Sequence, residues 1–203
     1  MIKMLKRLVF VVAGAVVLTG GARLLRDSQA LEEGILRLHV VANSDSQEDQ
    51  AVKLSVRDAV TELLEEGLDA STLEEAKVWI QDNLPKIEAV ANRVLAEAGT
   101  GMQAVVSLAK EEFPTRIYDT FQLPAGLYEA LRITIGEGEG QNWWCVVFPT
   151  LCVPASSEGV REAAEVSGMS QELSNTLTKE NTGYEIRFRL LDWLGTVKNW
   201  MNG

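Results

Sequence analysis

The chain has few of the residues on which catalytic and metal sites commonly depend. Its 203 residues include one histidine and two cysteines, and 6% of them are aromatic. His39 and the two cysteines do not supply the four ligands of a structural zinc site. A Gly-x-Ser-x-Gly motif is also missing, so serine-hydrolase chemistry has no signature. We therefore expect no metal, no cofactor and no enzymatic activity.

Basic residues are scarce and unevenly placed. The formal net charge is -10, yet residues 1–30 carry five basic groups against Asp27. The remaining residues hold 14 basic and 28 acidic groups, a net of -14. Binding to a phosphate backbone needs clustered lysine and arginine. We expect no nucleic-acid partner.

Long apolar runs are limited to the amino terminus. Leu8 to Leu18 is uncharged and follows Lys3, Lys6 and Arg7, as in a signal peptide. The run is about fifteen residues long, whereas a spanning helix needs roughly 20. Residues 1–30 are thus predicted to be a signal peptide or membrane anchor, with cleavage favoured and a buried helix as the third alternative. The acidic body would then lie outside the cytoplasm.

Residues 31–154 are predicted to form an α+β domain. Ile35 to Ala42 indicates a buried strand, and Ser46 is placed to cap a helix that ends near Gly67. A second helix begins at a capping box of Ser71 and Glu74. Pro85 is expected to interrupt it, giving three helices in all.

The second half of this domain changes to the period of a strand. Tyr118 to Leu123 and Leu127 to Ile135 flank a turn and are predicted to pair as a hairpin. The glycine-rich stretch from Gly136 to Gly140 is interpreted as a mobile connection to a strand from Asn142 to Phe148. We expect a mainly antiparallel sheet with helices on one face.

The remaining chain divides at its composition. Residues 155–183 contain no aromatic residue and are predicted to be a polar linker or weak helix. Residues 184–203 are predicted to form a strand and an amphipathic helix bearing Trp193 and Trp200. That helix packs on the protein's own core or, alternatively, lies in a groove or on a membrane surface.

Cys145 and Cys152 are the two cysteines and lie on either side of Pro149. In an exported protein an even number of cysteines favours a disulfide, here between these two residues. Two buried thiols on one strand are the alternative.

Two groups of residues are candidates for binding a partner. Asn43, Asp45 and Asp49 follow a strand and begin a helix, where ligands often bind. This stretch departs from a calcium-binding loop, and a turn with a helix cap is the alternative. Trp143 and Trp144 must lie on opposite faces of their strand, so either a helix covers the second face or one tryptophan anchors a partner.

Two long segments resemble the stage II sporulation protein R family of endospore-forming bacteria. They are LRLHVVANSDSQEDQAVKLSVRDAV, from Leu36 to Val60, and FPTRIYDTFQLPAGLYEALRITIGEGEGQNWWCVVFPTLCV, from Phe113 to Val153. The five candidate residues and both cysteines fall within these segments. The resemblance assigns none of them a catalytic role.

The resemblance implies a signalling protein made in the forespore and exported into the intermembrane space. There it would stimulate a membrane-embedded aspartic protease, which processes the precursor of the early mother-cell sigma factor. The membrane would be contacted through the amino-terminal segment, with the carboxyl-terminal tryptophan helix as a second candidate. The alternative function is an extracytoplasmic hydrolase that uses carboxylates such as Asp45, Asp49 or Glu129.

Overall fold

The computed structural model describes residues 32–117 and 122–149, together with residue 30. The predicted signal segment, apart from that residue, lies outside this part, as do Cys152 and everything after Pro149. The Cys145–Cys152 disulfide and the predicted domain boundaries therefore stay predictions. The elements are β1 (Leu36–Val41), α1 (Gln47–Gly67), α2 (Leu73–Glu97), β2 (Ala104–Phe113), β3 (Arg116–Ile117), β4 (Gln122–Leu123), β5 (Gly126–Ile135) and β6 (Asn142–Phe148).

The main sheet has the strand order β2-β5-β1-β6 and is mixed. β1 is parallel to β5 and antiparallel to β6, while β2 is antiparallel to β5. The α+β class is confirmed, but the prediction of a mainly antiparallel sheet is wrong. Two helices return the chain to the end at which β1 finishes, so β2 runs against β1. The next reversal then places β5 parallel to β1.

α2 is one continuous helix that contains Pro85. The predicted interruption is therefore wrong, although proline removes one hydrogen bond from a helix interior. Buried residues lie on both sides of the proline at helical spacing, and their burial holds the two halves on one axis. They are Ala76, Ile80, Ile87, Ala91 and Leu95.

The helix starts agree with the sequence at α1 and differ by one residue at α2. The Ser46 hydroxyl accepts a hydrogen bond from the Asp49 N–H at 3.1 Å, as expected for the cap of α1. At α2 the cap is Thr72, which accepts from the Glu75 N–H at 3.2 Å. The Glu75 carboxylate accepts from the Ser71 N–H at 2.8 Å. Ser71 and Thr72 are both residues that commonly cap a helix, so the sequence pattern alone does not decide between them.

The predicted hairpin of residues 118–123 with 127–135 is also wrong. β4 pairs with β3, and β5 pairs along its whole length with β2, from Ala104 opposite Ile135 to Phe113 opposite Gly126. A ten-residue ladder provides more hydrogen bonds and buried contacts than the short local pairing.

The core lies between the two helices and one face of the sheet. Leu36, Leu38 and Val40 of β1 are fully buried and point toward α1 and α2. Since strand side chains alternate, Arg37, His39 and Val41 point the other way. We call that second surface, which faces away from both helices, the distal face.

Side chains of α2 cap the outer edge of β2. The Asn92 side chain accepts a hydrogen bond from the Ala104 N–H at 2.8 Å and donates one to the Ala104 carbonyl at 3.1 Å. The Glu88 carboxylate accepts from the Val106 N–H at 3.1 Å. These contacts replace a neighbouring strand, and they protect part of the edge from pairing with another chain.

We predict that Asn92→Ala lowers the free energy of unfolding by about 1 to 3 kcal/mol, because it leaves buried backbone groups unpaired. Urea denaturation measures the change. Asn83→Ala is the control, since Asn83 donates only to the Trp79 carbonyl within the same helix. Equal losses in the two variants would contradict a role in capping the strand.

Candidate functional site: the loop junction and the distal face

The β1–α1 loop and the β5–β6 loop are joined by hydrogen bonds, and we call residues 42–50 with 136–141 the loop junction. The Asn43 side chain donates to Asp49 Oδ2 at 2.8 Å and accepts from the Glu137 N–H at 3.0 Å. The Ser44 hydroxyl donates to the same Asp49 oxygen at 2.6 Å. Asn43 and Asp49 are thus bonded within the protein.

The glycine-rich loop is held in place by the same junction. Asp45 Oδ1 accepts from the Gln141 N–H at 2.7 Å, and the Ala42 carbonyl accepts from the Gly140 N–H at 2.9 Å. Gly136 has a φ of +56°, and a Cβ there would meet the Asn43 side chain. The loop is therefore hydrogen-bonded to the end of β1, whereas its interpretation as a mobile connection stays a prediction.

Charge and burial set the protonation of the junction. The hydrogen bonds from Ser44 and Asn43 hold the pKa of Asp49 below its ordinary value. Burial lowers the pKa of Lys53, whose ammonium donates to Gln50 Oε1 at 2.6 Å and to the Gln141 carbonyl at 3.0 Å. Lys53 therefore ties the first turns of α1 to the start of β6.

The two tryptophans lie on opposite faces of β6, as predicted. Trp143 packs against the core beside the helices, and the Arg57 guanidinium lies 4.2 Å from the centre of its ring. Trp144 lies on the distal face, stacked on His39 with ring centres 5.6 Å apart. Trp143 thus has a packing role, whereas Trp144 belongs to a surface that neither α1 nor α2 covers.

His39 is the centre of a hydrogen-bonded cluster on the distal face. Its Nδ1 lies 2.7 Å from Glu111 Oε2, and its Nε2 lies 2.7 Å from Asn142 Oδ1. Burial acts to raise the pKa of Glu111. The hydrogen bond and charge of His39, with Arg132 beside it, outweigh burial and lower that pKa. His39 is 9% exposed, which agrees with a histidine on a sheet face whose two ring nitrogens both have hydrogen-bond partners.

Three arginines accompany this cluster. Arg37 is fully buried, with its guanidinium 3.9 Å from the centre of the Phe113 ring. Arg132 bonds Glu111 at 3.4 Å and donates to the Thr134 hydroxyl at 3.1 Å. Arg116 lies 3.6 Å from the centre of the Trp144 ring. The distal face therefore combines arginine and aromatic groups.

The arrangement supports neither a nucleophile pair of Cys145 with His39 nor the carboxylate pair of the alternative hydrolase. Cys145 packs with the core on the helix side, so the sheet separates it from His39. Glu129 lies opposite Leu36 and binds Lys77, whereas Asp45 and Asp49 follow the other end of β1. That strand separates them by about 16 Å, beyond the roughly 6 to 9 Å of paired hydrolytic carboxylates. Among the described residues no group of acidic, histidine or cysteine side chains is arranged to hold a metal ion.

Comparison with known proteins supports the resemblance seen in the sequence. The family model described as stage II sporulation protein R matches residues 32–158. Stage II sporulation protein R of Bacillus subtilis (strain 168) is 34% identical over 180 residues, covering 80% of each chain. The chain belongs to the stage II sporulation protein R family. No solved structure matches it.

The fold places the two sporulation-family segments together. The first segment supplies β1 and most of α1, and the second supplies β3 to β6 with the loop between β5 and β6. Asn43, Asp45 and Asp49 were predicted from the sequence, but their hydrogen bonds to the glycine-rich loop were not. Glu111 and Arg132 were not predicted either, because they lie far from His39 along the chain and meet it only through the register of the main sheet. Arg116 was also not predicted, and it joins the cluster by stacking on Trp144 from the smaller sheet. Within residues 32–117 and 122–149, no helix is both long and apolar enough to cross a bilayer.

We predict that Gly140→Ala lowers the free energy of unfolding by about 2 kcal/mol or more, because its Cβ would collide with the Ser44 carbonyl oxygen. Urea denaturation provides the measurement. Gly101→Ala is the control: its Cβ would enter open space, although a φ of +68° makes alanine cost about 1 kcal/mol there. A loss at Gly140 no larger than that at Gly101 would show that the close approach of the loops is unimportant.

Asp49→Asn tests the junction through pH. The pKa of Asp49 is lowered in the folded protein, so the carboxylate stabilises the fold above its unfolded pKa. We expect the wild type to be more stable than the variant at neutral pH, and the difference to shrink as the pH falls below about 4. Denaturation at a series of pH values measures this. Asp82→Asn, at an exposed position of α2, is the control, and identical profiles for the two variants would refute the role of Asp49.

Proposed function

We propose that this protein is an exported, non-enzymatic signal of sporulation. In this proposal it acts from the intermembrane space and stimulates a membrane-embedded aspartic protease. The protease then processes the precursor of the early mother-cell sigma factor. Membership of the stage II sporulation protein R family is the observation that carries the proposal.

The amino-terminal sequence supports export. Basic residues precede an apolar run that is shorter than a membrane-spanning helix requires, and the rest of the chain is acidic. A body with a net charge of -14 is suited to solution rather than to the surface of an anionic membrane.

Trp144 is the best-placed of the five proposed contact residues. It is half-buried on the distal face, where an aromatic ring combines a large contact area with few rotatable bonds. Asn43 and Asp49 use their side chains within the loop junction, and Trp143 packs on the core. Asp45 is exposed, with one oxygen bonded to the Gln141 N–H. We therefore assign the contact to Trp144 and Asp45, and a supporting role to the other three.

The proposal predicts that a strain lacking the gene fails to process the sigma-factor precursor, and that the wild-type gene restores processing. Trp144→Ala should be exported and folded but should not restore it, because loss of an anchor worth about 2 kcal/mol weakens binding about thirtyfold. Immunoblots of the precursor, with circular dichroism of the purified variant, provide the readouts.

Trp143→Ala is the matched control for this experiment. It removes a ring that packs on the core, so the expected defect is lower stability, with processing recovering when the variant is produced at a higher level. Normal processing in the deletion strain would reject the proposed function. Full restoration by Trp144→Ala would reject only the assignment of Trp144.

A further inference from the structure

The charge of the distal face is opposite to that of the helix layer. α1 and α2 together carry eleven acidic and five basic residues. On the distal face the described strands carry three arginines and one glutamate, apart from His39. These residues are Arg37, Arg116, Arg132 and Glu111. Arg37 is fully buried, so the partly exposed Arg116 and Arg132 are what make this a local basic surface in a chain whose body has a net charge of -14.

The register of the sheet lines these groups up. Ser107, Arg132, His39 and Trp144 lie side by side on β2, β5, β1 and β6. Because neighbouring strands are about 4.8 Å apart, the backbones of Arg132 and Trp144 are about 10 Å apart. Arg116 extends the row by stacking on Trp144. A line of arginine, imidazole, indole and arginine therefore crosses the sheet.

Both outer arginines are held in fixed orientations while keeping groups available to a ligand. Arg132 is fixed by Glu111 and Thr134, and its side chain is 39% exposed. Arg116 lies against the Trp144 ring and is partly exposed, and within the described ranges its buried Nε has no hydrogen-bond partner. A guanidinium presents paired N–H donors that match the two oxygens of a carboxylate. Fixing it beforehand reduces the entropy lost on binding.

One part of the distal face is open to a ligand. Along β2, Ser107 and Ala109 are exposed, and Val105 is 65% exposed. These small side chains stand next to β5 and leave Arg132 accessible from the β2 side. An extended peptide could lie across this surface with apolar groups on Val105 and carboxylates at the arginines.

We propose that the distal face is a docking surface for an acidic peptide segment of a protein partner, whose carboxylates bind Arg116 and Arg132 beside Trp144. This inference rests on the proposed function for the identity of the partner as the stimulated protease. Charge complementarity and the guanidinium geometry support a carboxylate ligand.

The same features argue against a lipid surface as the occupant. Attraction to anionic lipids commonly uses flexible lysines and protruding apolar side chains around a basic protein surface. On the distal strands the cations are arginines fixed by stacking or ion pairs, and the lysines of the described part lie on the helices or on the helix-facing side of β2. The acidic helix layer would also be repelled by anionic lipids.

The proposal is tested by measuring how the protein, purified in its exported form, binds three defined probes. The probes are a synthetic peptide of alternating glutamate and valine, the matching lysine and valine peptide, and phosphatidylcholine vesicles with phosphatidylglycerol. We expect the glutamate peptide to bind and to shift the NMR signal of the Trp144 indole N–H. Arg116→Gln with Arg132→Gln should weaken this binding at least tenfold, whereas Arg93→Gln, at an exposed site on α2, should not change it.

Val105→Asp provides a second variant that leaves the buried cluster untouched. Its added negative charge should weaken peptide binding and precursor processing, whereas Val78→Asp should affect neither, since Val78 is 59% exposed on α2. Binding of the vesicles but not the glutamate peptide would overturn the proposal. So would equal binding of the glutamate and lysine peptides, or self-association of the wild type that the double arginine variant abolishes.

Processing in cells separates this inference from the proposed function. If the deletion strain lacks processing but the folded double arginine variant and Val105→Asp restore it fully, the docking surface is wrong and the proposed function stands. If the deletion strain processes the precursor normally, the proposed function fails, and only the peptide experiment still bears on the surface.

Discussion

The burial of β1 on both faces is the constraint from which the rest of the structure follows. All six residues of this strand are buried. Its three apolar residues on one side require the cover that α1 and α2 provide. On the other side Arg37 and His39 must find partners near the sheet, because burying a polar group without hydrogen bonds costs several kcal/mol. The arginine and aromatic groups of the distal face therefore provide the contacts that bury the second side of the central strand.

The loop junction sets the position of the strands beside β1. It joins the end of β1 to the loop between β5 and β6, and it also contains the cap of α1. One set of hydrogen bonds therefore fixes the start of α1 and the adjoining ends of the two strands that flank β1. This accounts physically for a cluster of polar residues that, in the sequence, looked like a ligand site. Apart from the exposed Asp45, the junction uses its polar side chains internally, so the distal face is the larger surface with groups available to a partner.

Local features were predictable from the sequence. The Ser46 cap, the end of α1 and the opposite orientations of Trp143 and Trp144 each depend on neighbouring residues and were confirmed. The continuous helix through Pro85 depends on burial against the sheet, which outweighs a local helix breaker. The parallel pairing of β1 with β5 depends on the even number of helices between β1 and β2, followed by one reversal between β2 and β5. The cluster around His39 joins residues from four strands, so no local pattern in the sequence indicates it.

A site-specific crosslink tests the central claim, that the partner contacts the distal face, most directly. A photoreactive amino acid can replace Val105 on the distal face or Val78 on the helix layer, two valines with similar exposure of 65% and 59%. Irradiation of sporulating cells should join the protein to the membrane-embedded protease from position 105 and not from position 78. A crosslink to the protease from position 78, with none from position 105, would contradict the account.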